Sequence, residues 1–435
     1  MITEGGAWRN WGRSESSQPR FTSRASSVDD VVETVRFGRD RGLTVKTVGA
    51  SHSFTGIAAA PGVQLDVSAV DGLLAVDGNR VTLGAGTNLY QLPALLAPHG
   101  LALANMGDID RQTIAGATST GTHGTGAQFG GLATQIRAVT LVTAAGELLH
   151  VSETENAELL PAVTLALGAL GVLVDVQIEC VPAFLLHAVE RPEKSSTVLA
   201  EWQQRLAEND HFEFYAWPHS DLVSTKSNNR LPTDSPRQPL GRFRGWFENQ
   251  FMSNTVFSAS LEMLRVVPAL IPPMNRLSVK LEANREFTDD SPYVFATTRA
   301  MRFREMEYAL PVDRVPEALT AVHALIERKG WRISFPIEVR ASAADDLWLS
   351  TAHGRPTGYI AVHRFWKEDE REYFREVEAI MRDFEGRPHW GKMNARTADD
   401  LRPAYPHFDD FLAVRDRLDP DRLFTNDYLE RVLGP

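Results

Sequence analysis

The segment that most constrains the fold is a run of small residues, Thr113–Gly126, built almost entirely from Gly, Ala, Ser and Thr. Such a run carries too little side-chain bulk to form a core of its own, but it offers many backbone N–H and hydroxyl donors. These donors suit a diphosphate and a flat ring system. A flexible linker has a similar composition. Because Ile114 is apolar and Arg137 is the only charge between Arg111 and Glu147, the run is more typical of a folded binding segment.

A second small-residue segment lies upstream, where the strand-like run Leu43–Val48 ends in Gly49-Ala50-Ser51-His52-Ser53. Gly and Ala let a backbone approach a ligand closely, and His52 supplies a neutral nitrogen nucleophile near physiological pH. A single histidine in such a turn is commonly a structural residue. Together with Thr113–Gly126, however, the turn supplies the donors that a cofactor with a diphosphate needs.

Composition predicts a soluble enzyme with two or more domains. The chain has 435 residues, of which 43% are hydrophobic, and so exceeds what one core usually supports. Its 45 basic and 56 acidic residues give a net charge of −11, which argues against nucleic acid or an anionic membrane as a partner. The single cysteine, Cys180, excludes an internal disulfide and fits a cytoplasmic location. We expect no secretory signal, and the longest uncharged apolar stretch, Leu159–Val174, is too short to span a bilayer.

Hydrophobic periodicity predicts mixed helices and strands. Ser27 followed by Asp30 marks the start of a helix that ends at Gly42. Strands are predicted at Val63–Val67, Arg80–Leu83, Ile136–Val142, Val172–Val181 and Phe212–Trp217. Helices are predicted at Leu89–Leu96, interrupted at Pro93, and at Val198–Ala207, Val315–Gly330 and Asp369–Phe384, with a surface loop at Pro232–Pro239. The mostly apolar segment Phe251–Leu277 predicts a core helix or a helix that packs on a neighbour.

One predicted strand combines opposite charges on a single face. In Phe335–Ala341, a period of two places Glu338 beside Arg340. An ion pair on an exposed sheet would contribute little to stability. The flanking apolar residues instead indicate a covered strand, where an ion pair is costly unless it serves a purpose.

Two further strands and one turn carry candidate groups. In Phe303–Tyr308, Glu305 and Glu307 share a face that is either solvated or functional. In Tyr359–Phe365, His363 is either a general base, a substrate contact or a satisfied core histidine. The rigid turn Gly386–Lys392 presents a lysine, which on a surface would serve only solubility.

The order of these motifs resembles the vanillyl-alcohol-oxidase type of FAD-dependent oxidoreductases. Within that type, the chain is similar to the sugar-1,4-lactone oxidases and dehydrogenases, which include gulonolactone and arabinonolactone oxidases. The resemblance covers residues 43–185, 301–366 and 386–431. Its most specific strings are Gly49–Ser53, Ser119–Gly124, Phe335–Arg340, Gly386–Lys392 and Arg415–Asn426.

This resemblance implies that the cofactor is FAD and that His52 is covalently attached to the 8α-methyl carbon of the flavin. The phosphate-side turn would consist of Gly49, Ala50, Ser51 and Ser53. The diphosphate and flavin channel would be lined by Thr113, Ala115, Gly116, Thr120, Gly121, His123 and Gly124, with Ile178 near the adenine half. Lys392 would face the N1/C2 side of the flavin, Glu338 and Arg340 would bind the substrate, and the base would be Glu338 or His363. We expect no metal.

The implied reaction is oxidation of a sugar-derived 1,4-lactone, of the L-gulono or D-arabinono type, by hydride transfer to flavin N5. Dioxygen or another electron acceptor would then take the electrons. Many lactone oxidases have glycines where Ala50 and Ser51 stand, whereas alditol oxidases carry bulkier residues, so a polyol oxidase of the xylitol type is the alternative. Phe365 and the strings Phe335–Arg340 and Arg415–Asn426 favour the lactone branch. A third possibility is a non-catalytic flavin or carbohydrate binder.

The implied fold is α+β. A two-subdomain FAD-binding domain of the PCMH type would comprise residues 1–185, and a mixed α/β substrate cap domain would comprise residues 186–385. The C-terminal segment 386–435 would return to the FAD-binding domain.

Overall fold

Two sheets form the first part of the chain in the computed structural model, which describes residues 1–241, 255–297 and 301–435. The first sheet consists of β1 (Ile2–Glu4), β2 (Phe21–Arg24), β3 (Val45–Val48) and β4 (Val63–Asp66). Its order is β1-β2-β4-β3, and β4 pairs in parallel with β2 and β3. Because β3 lies at an edge, the turn that follows it opens beside the sheet.

The second sheet is antiparallel. Its strands are β5 (Leu73–Asp77), β6 (Arg80–Gly84), β7 (Ile136–Val142), β8 (Leu148–Ser152) and β9 (Val172–Glu179). Their order is β8-β7-β9-β6-β5. The strand β9 alternates strictly between buried and half-buried residues, as a period of two requires when one face meets a core.

The third sheet has eight antiparallel strands, drawn from residues 185–388. The strands are β10 (Leu185–Lys194), β11 (His211–Ala216), β12 (Leu222–Leu231), β13 (Arg285–Asp290), β14 (Phe303–Pro311), β15 (Ile337–Ser342), β16 (Thr357–Phe365) and β17 (Arg387–Pro388). Their order is β13-β10-β12-β11-β15-β16-β14-β17. The three charged strands of the sequence, β14, β15 and β16, are therefore neighbours.

The described helices are mostly short. They are α1 (Val28–Arg39), α2 (Leu92–Leu96), α3 (Ile114–Ser119), α4 (Leu160–Val163), α5 (Ser195–Ala200), α6 (Trp202–Glu208), α7 (Phe257–Val266), α8 (Ile271–Lys280), α9 (Ser291–Phe295), α10 (Val315–Lys329), α11 (Arg371–Asp383), α12 (Ala398–Leu401), α13 (Phe408–Leu418) and α14 (Asp427–Leu433). A capping box between Ser27 and Asp30 starts α1, and Gly330 ends α10 in the left-handed conformation.

Two large hydrophobic clusters pack against different sheets. One contains Val139 and Ile178 of the second sheet together with Phe411 and Leu429 of the C-terminal helices. Another packs α10 and α11 against one face of the third sheet. The C-terminal segment 386–435 connects these parts. Its strand β17 pairs with β14 in the third sheet, and its helices α13 and α14 pack in the cluster around the second sheet.

Several predicted elements differ from the structure in detail. Pro93 lies at the start of α2 rather than interrupting a helix, because the first turn has no use for its missing N–H. The helix expected at Val198–Ala207 is divided into α5 and α6 at Glu201. In the region 251–277, residues 251–254 lie outside the described part, and α7 and α8 bury Leu261 and Ile271 but expose other apolar side chains.

Candidate active site

The turn after β3 brings the backbone of residues 49–53 to the wall of a cleft. Ser51 has a φ of 58°, and the Trp8 indole N–H donates to Ser51 Oγ at 2.9 Å. A Cβ atom on Gly49 would lie 2.4 Å from Thr113 Oγ1, so this close approach requires glycine. Among the described residues, the N–H groups of residues 50–53 have no hydrogen-bond acceptor, which leaves them free to bind a ligand.

This cleft is open to solvent, and its walls enclose about 880 Å³ with the open solvent counted. Of the predicted binding residues, it is lined by Gly49, Ala50, Ser51, His52, Ser53, Thr113, Ala115, Gly116 and Thr120. Small side chains, hydroxyl groups and unpaired N–H donors fit a dinucleotide with a diphosphate. The two small-residue segments of the sequence therefore meet across one cavity.

Four other predicted residues are not among those that line this cleft. Ile178 is fully buried in the core on β9. A Cβ atom on Gly124 would lie 2.2 Å from the carbonyl oxygen of Met106, and one on Gly121 would lie 3.3 Å from Leu165, so both glycines permit packing. His123 lies under the third sheet.

Sequence reasoning missed part of the lining. Lys46, Gly168 and Leu173 also line the cleft. Lys46 precedes the glycine turn on β3. Gly168 and Leu173 lie within Leu159–Val174, which the sequence marks only as an uncharged apolar stretch. A period of two does not single out Lys46, because Lys46 and Thr47, on opposite faces of β3, both line the cleft.

A smaller adjoining cleft, of about 350 Å³, brings His52 and Lys392 together. His52, Ser53, Gln112 and Thr120 line both clefts. The imidazole of His52 stacks on Trp11, with 5.5 Å between the ring centroids. Burial, reinforced by the charge of Lys392, lowers the pKa of His52 to about 4. His52 is therefore neutral at physiological pH and available as a nucleophile.

Three neighbouring strands gather ionisable groups on one face of the third sheet. Antiparallel register places Glu305 of β14 opposite His363 of β16, and Arg340 of β15 opposite Tyr359. Glu338 lies opposite Ala361 on the same face. Because opposed residues in a ladder point to the same side, the groups predicted from separate strands converge.

Arg340 is the centre of a buried charge cluster. It forms ion pairs with Glu338, with Glu213 at 2.8 Å and with Asp108 at 3.4 Å. Burial alone would lower the pKa of Arg340, but these carboxylates hold it well above the usual value. Lys226 lies 3.6 Å from Glu213 and adds a second cation. The guanidinium is thus fixed in orientation and permanently charged.

Lys392 is paired with Glu305, whose carboxylate is buried, while the lysine is partly buried. Glu305 and Glu307 are each only 3% exposed, which corrects the possibility that this face of Phe303–Tyr308 is solvated. The backbone of residues 389–393 covers the strand, since His389 and Met393 donate N–H groups to its carbonyl oxygens. Burial alone would raise the pKa of Glu305, but Lys392, with help from His363, holds it at about 2.

Two histidines contact carboxylates on this sheet face. His363 Nε2 lies 3.6 Å from Glu305 and 3.9 Å from Glu338, while its Nδ1 lies 3.2 Å from the carbonyl oxygen of Pro336. His123 Nε2 lies 3.4 Å from Glu307. His123 therefore contacts the third sheet through Glu307. Its position in the small-residue run did not indicate this contact.

Donor atoms that could hold a metal occur in two groups within the described part of the chain: His123, Glu307 and His389, and Glu305, Glu338 and His363. In the second group, Lys392 and Arg340 already neutralise the carboxylates. The expectation that the site works without a metal stays a prediction.

Within residues 1–241, 255–297 and 301–435, we find no helix with the length and apolar character needed to cross a bilayer.

Comparison with known proteins identifies the relatives of this chain. Residues 19–152 match the FAD binding domain family, and residues 176–432 match the D-arabinono-1,4-lactone oxidase family. L-gulono-1,4-lactone dehydrogenase of Mycobacterium tuberculosis is 42% identical over 98% of this chain and 99% of its own length. L-gulonolactone oxidase of Scyliorhinus torazame is 34% identical over 99% of each chain. An alditol oxidase of a Streptomyces species is a more distant relative, 28% identical over 94% of each chain.

The fold has a solved counterpart. A crystal structure of cholesterol oxidase from B. sterolicum superposes with a TM-score of 0.83 at 18% identity, covering 100% of this chain and 97% of that one. The expected α+β class, with an FAD-binding domain of the PCMH type and a mixed α/β region, is confirmed, as is FAD as the cofactor. The protein is an oxidoreductase. The chain belongs to the family of FAD-dependent sugar-1,4-lactone oxidases and dehydrogenases.

Proposed function

We propose that this protein oxidises a hydroxyl-bearing carbon of a sugar-derived 1,4-lactone, of the L-gulono or D-arabinono type. The observation that carries the proposal is the convergence of Arg340, Glu338, His363 and Lys392 on one sheet face, next to the clefts that His52 lines. FAD, when bound, supplies the hydride acceptor. The side chains of the sheet face bind and orient the lactone and move its proton.

Lys392 provides positive charge where the flavin ring would lie. The carboxylates Glu305 and Glu307 raise the pKa of Lys392 above its ordinary value, although burial alone would lower it. The ammonium therefore stays charged throughout turnover. A fixed cation stabilises negative charge as it develops, without a cost of reorganisation at the moment of reaction.

Arg340 and Glu338 position the substrate. The guanidinium offers several N–H donors in a fixed plane, which suits the carbonyl oxygen of a lactone and a neighbouring hydroxyl group. Glu213 and Asp108 hold Arg340 in place, and the Tyr215 hydroxyl donates to Glu338 at 3.2 Å. A carboxylate locked to Arg340 accepts hydrogen bonds from the substrate but is a weak base.

We assign the general base to His363. The contact of its Nδ1 with the Pro336 carbonyl oxygen favours the tautomer with the proton on Nδ1, which leaves Nε2 free to accept the hydroxyl proton. Glu305 and Glu338 lie on either side of Nε2 and would stabilise the imidazolium that results. Glu338 is the weaker candidate because its charge is committed to Arg340.

We further propose that a ring nitrogen of His52 carries the covalent link to the flavin. Its support is a neutral imidazole that lines both clefts and stacks on Trp11. The backbone donors of residues 50–53 and the α3 side of the larger cleft, including Thr113, Ala115 and Gly116, would hold the diphosphate.

Anaerobic mixing with candidate substrates tests the reaction. L-gulono-1,4-lactone or D-arabinono-1,4-lactone should bleach the visible flavin absorption on mixing, whereas xylitol should not. The reverse preference would establish the alternative, an alditol oxidase, which the alditol oxidase relative supports. No bleaching by any sugar-derived alcohol would indicate a binder without catalysis.

The electron acceptor and the location are separate proposals. Reoxidation of the bleached enzyme by air would identify dioxygen as the acceptor, and reoxidation only by an added dye would identify a dehydrogenase. A cytoplasmic location, inferred from the single cysteine, stays a prediction.

A further inference from the structure

A lysine is buried in the wall of the larger cleft without a carboxylate partner. Lys46, on β3, is 2% exposed. Its ammonium donates to the carbonyl oxygens of Phe424 at 2.9 Å and Gly168 at 3.2 Å. Among the described residues, no carboxylate oxygen lies within 4.0 Å of its nitrogen. Because buried charges are ordinarily paired, this arrangement requires an explanation.

The surrounding charges do not balance the ammonium. Arg415 and Asp419 are both fully buried and influence Lys46 with opposite sign. The Asp419 carboxylate is engaged, since it accepts the N–H groups of Leu423 at 2.7 Å and Phe424 at 2.9 Å. At Lys46 the repulsion from Arg415 exceeds the attraction of Asp419, whereas Arg415 itself also has Asp416 and Glu430 nearby. Burial, followed by the repulsion of Arg415, lowers the pKa of Lys46 to about 7.

The missing negative charge would come from the cleft itself. Lys46 and His52 are the two basic side chains among the residues that line it, and His52 is held neutral. A diphosphate brings negative charges that the backbone N–H dipoles of residues 50–53 offset only in part. An ammonium has three donors, and two are used by the carbonyl groups, so one is available to a phosphate oxygen.

We propose that Lys46 is the cationic anchor for the diphosphate of FAD, and that the bound dinucleotide supplies the counter-charge that the protein does not provide. The inference requires that FAD occupies this cleft but is independent of the substrate. Because the same ammonium holds Phe424, binding of FAD also stabilises the attachment of the C-terminal segment to the cleft.

Exchangeable flavin is needed to test this anchor, so the parent protein is the His52→Ala variant, which has no covalent link. Apoprotein is titrated with FAD, ADP and riboflavin. Lys46→Met should weaken FAD and ADP at least tenfold, the effect of losing one charge-assisted hydrogen bond, and should leave riboflavin unchanged. Lys46→Arg should retain most of the affinity for FAD.

The matched control is Arg24→Met, because Arg24 on the neighbouring strand β2 is an exposed cation that does not line the cleft. It should bind FAD as the parent does. Thermal unfolding of the apoprotein separates anchoring from structure: Lys46→Met removes a costly buried charge together with two hydrogen bonds, so its unfolding temperature should stay close to that of the parent.

Three results would overturn the proposal. They are unchanged FAD affinity in Lys46→Met, equal losses for riboflavin and FAD with a lower unfolding temperature, or an equal loss in Arg24→Met. If Lys46→Met does not fold, Lys46→Gln replaces it, and the same titrations decide. None of these measurements involves turnover, so failure to oxidise a lactone leaves the inference intact.

Discussion

Replacing Lys392 by Met should destabilise the protein and slow flavin reduction. Lys392 is the cation that pairs with the buried carboxylate of Glu305. The pKa of Glu305 falls from 4.5 to about 2 in the folded protein. Because one pKa unit corresponds to about 1.4 kcal/mol, the cations around this carboxylate contribute on the order of 3 kcal/mol at neutral pH. Removing the principal cation leaves an uncompensated buried charge, for which a loss of about 3–5 kcal/mol is typical.

The pH dependence of this loss has a definite sign. A carboxyl group with a depressed folded pKa contributes stability that is present above 4.5 and is lost as the pH falls through about 2. In Lys392→Met, the unpaired Glu305 should instead protonate easily. The stability difference from the native protein, measured by urea denaturation, should therefore be largest at pH 7 and shrink toward pH 4.

The double variant Lys392→Met/Glu305→Gln separates stability from catalysis. It should recover most of the lost free energy of unfolding, because neither charge remains. Its rate of anaerobic flavin reduction should stay about 10²–10³-fold below that of the native protein, because no cation faces the flavin. Native stability in the single variant, or a native reduction rate in either variant, would refute this account of Lys392.

Further substitutions test His52, His363, Glu338 and Arg340. Native protein precipitated with acid should stay yellow, whereas His52→Ala should release its FAD to the supernatant; colour retained in the variant pellet would disprove the link. Apoprotein with His52 should lose stability as the pH falls from 6.5 toward 4, because the unfolded chain takes up a proton that the buried imidazole resists, and apo His52→Asn should not show this loss in thermal unfolding. His363→Asn should lower the rate of flavin reduction about 10²–10⁴-fold, as measured by stopped flow, with little change in lactone affinity; a larger effect from Glu338→Gln would transfer the role of base to Glu338. Arg340→Met should chiefly weaken lactone binding and, because it removes the cation that three carboxylates share, lower the unfolding temperature, and Arg340→Lys should recover stability better than affinity.

Local patterns predicted much of this site. A period of two correctly placed Glu338 beside Arg340 and put His363 on the inner face of its strand, since alternation along a strand is a property of the backbone. The glycine turn before His52 was recognisable because few other structures require so little side-chain bulk.

Burial and long-range pairing were not predictable in the same way. Whether Glu305 faces water depends on residues 389–393, which cover it from more than eighty positions downstream. Asp108 and Glu213 reach Arg340 from two other parts of the chain. His123 looks like a cavity residue in sequence, but the packing of one region on the other directs its ring to Glu307.

Residues 386–435 contact both the third sheet and the two clefts, and this affects when the cofactor can be loaded. They supply β17 to the third sheet, Lys392 to the flavin side, and the carbonyl oxygen of Phe424 to Lys46. A nascent chain that has not yet reached residue 386 lacks these groups even after the first two sheets have been synthesised. We expect cofactor loading to wait for residues 386–435, and removal of this segment to reduce flavin content as strongly as a substitution in the cavity itself.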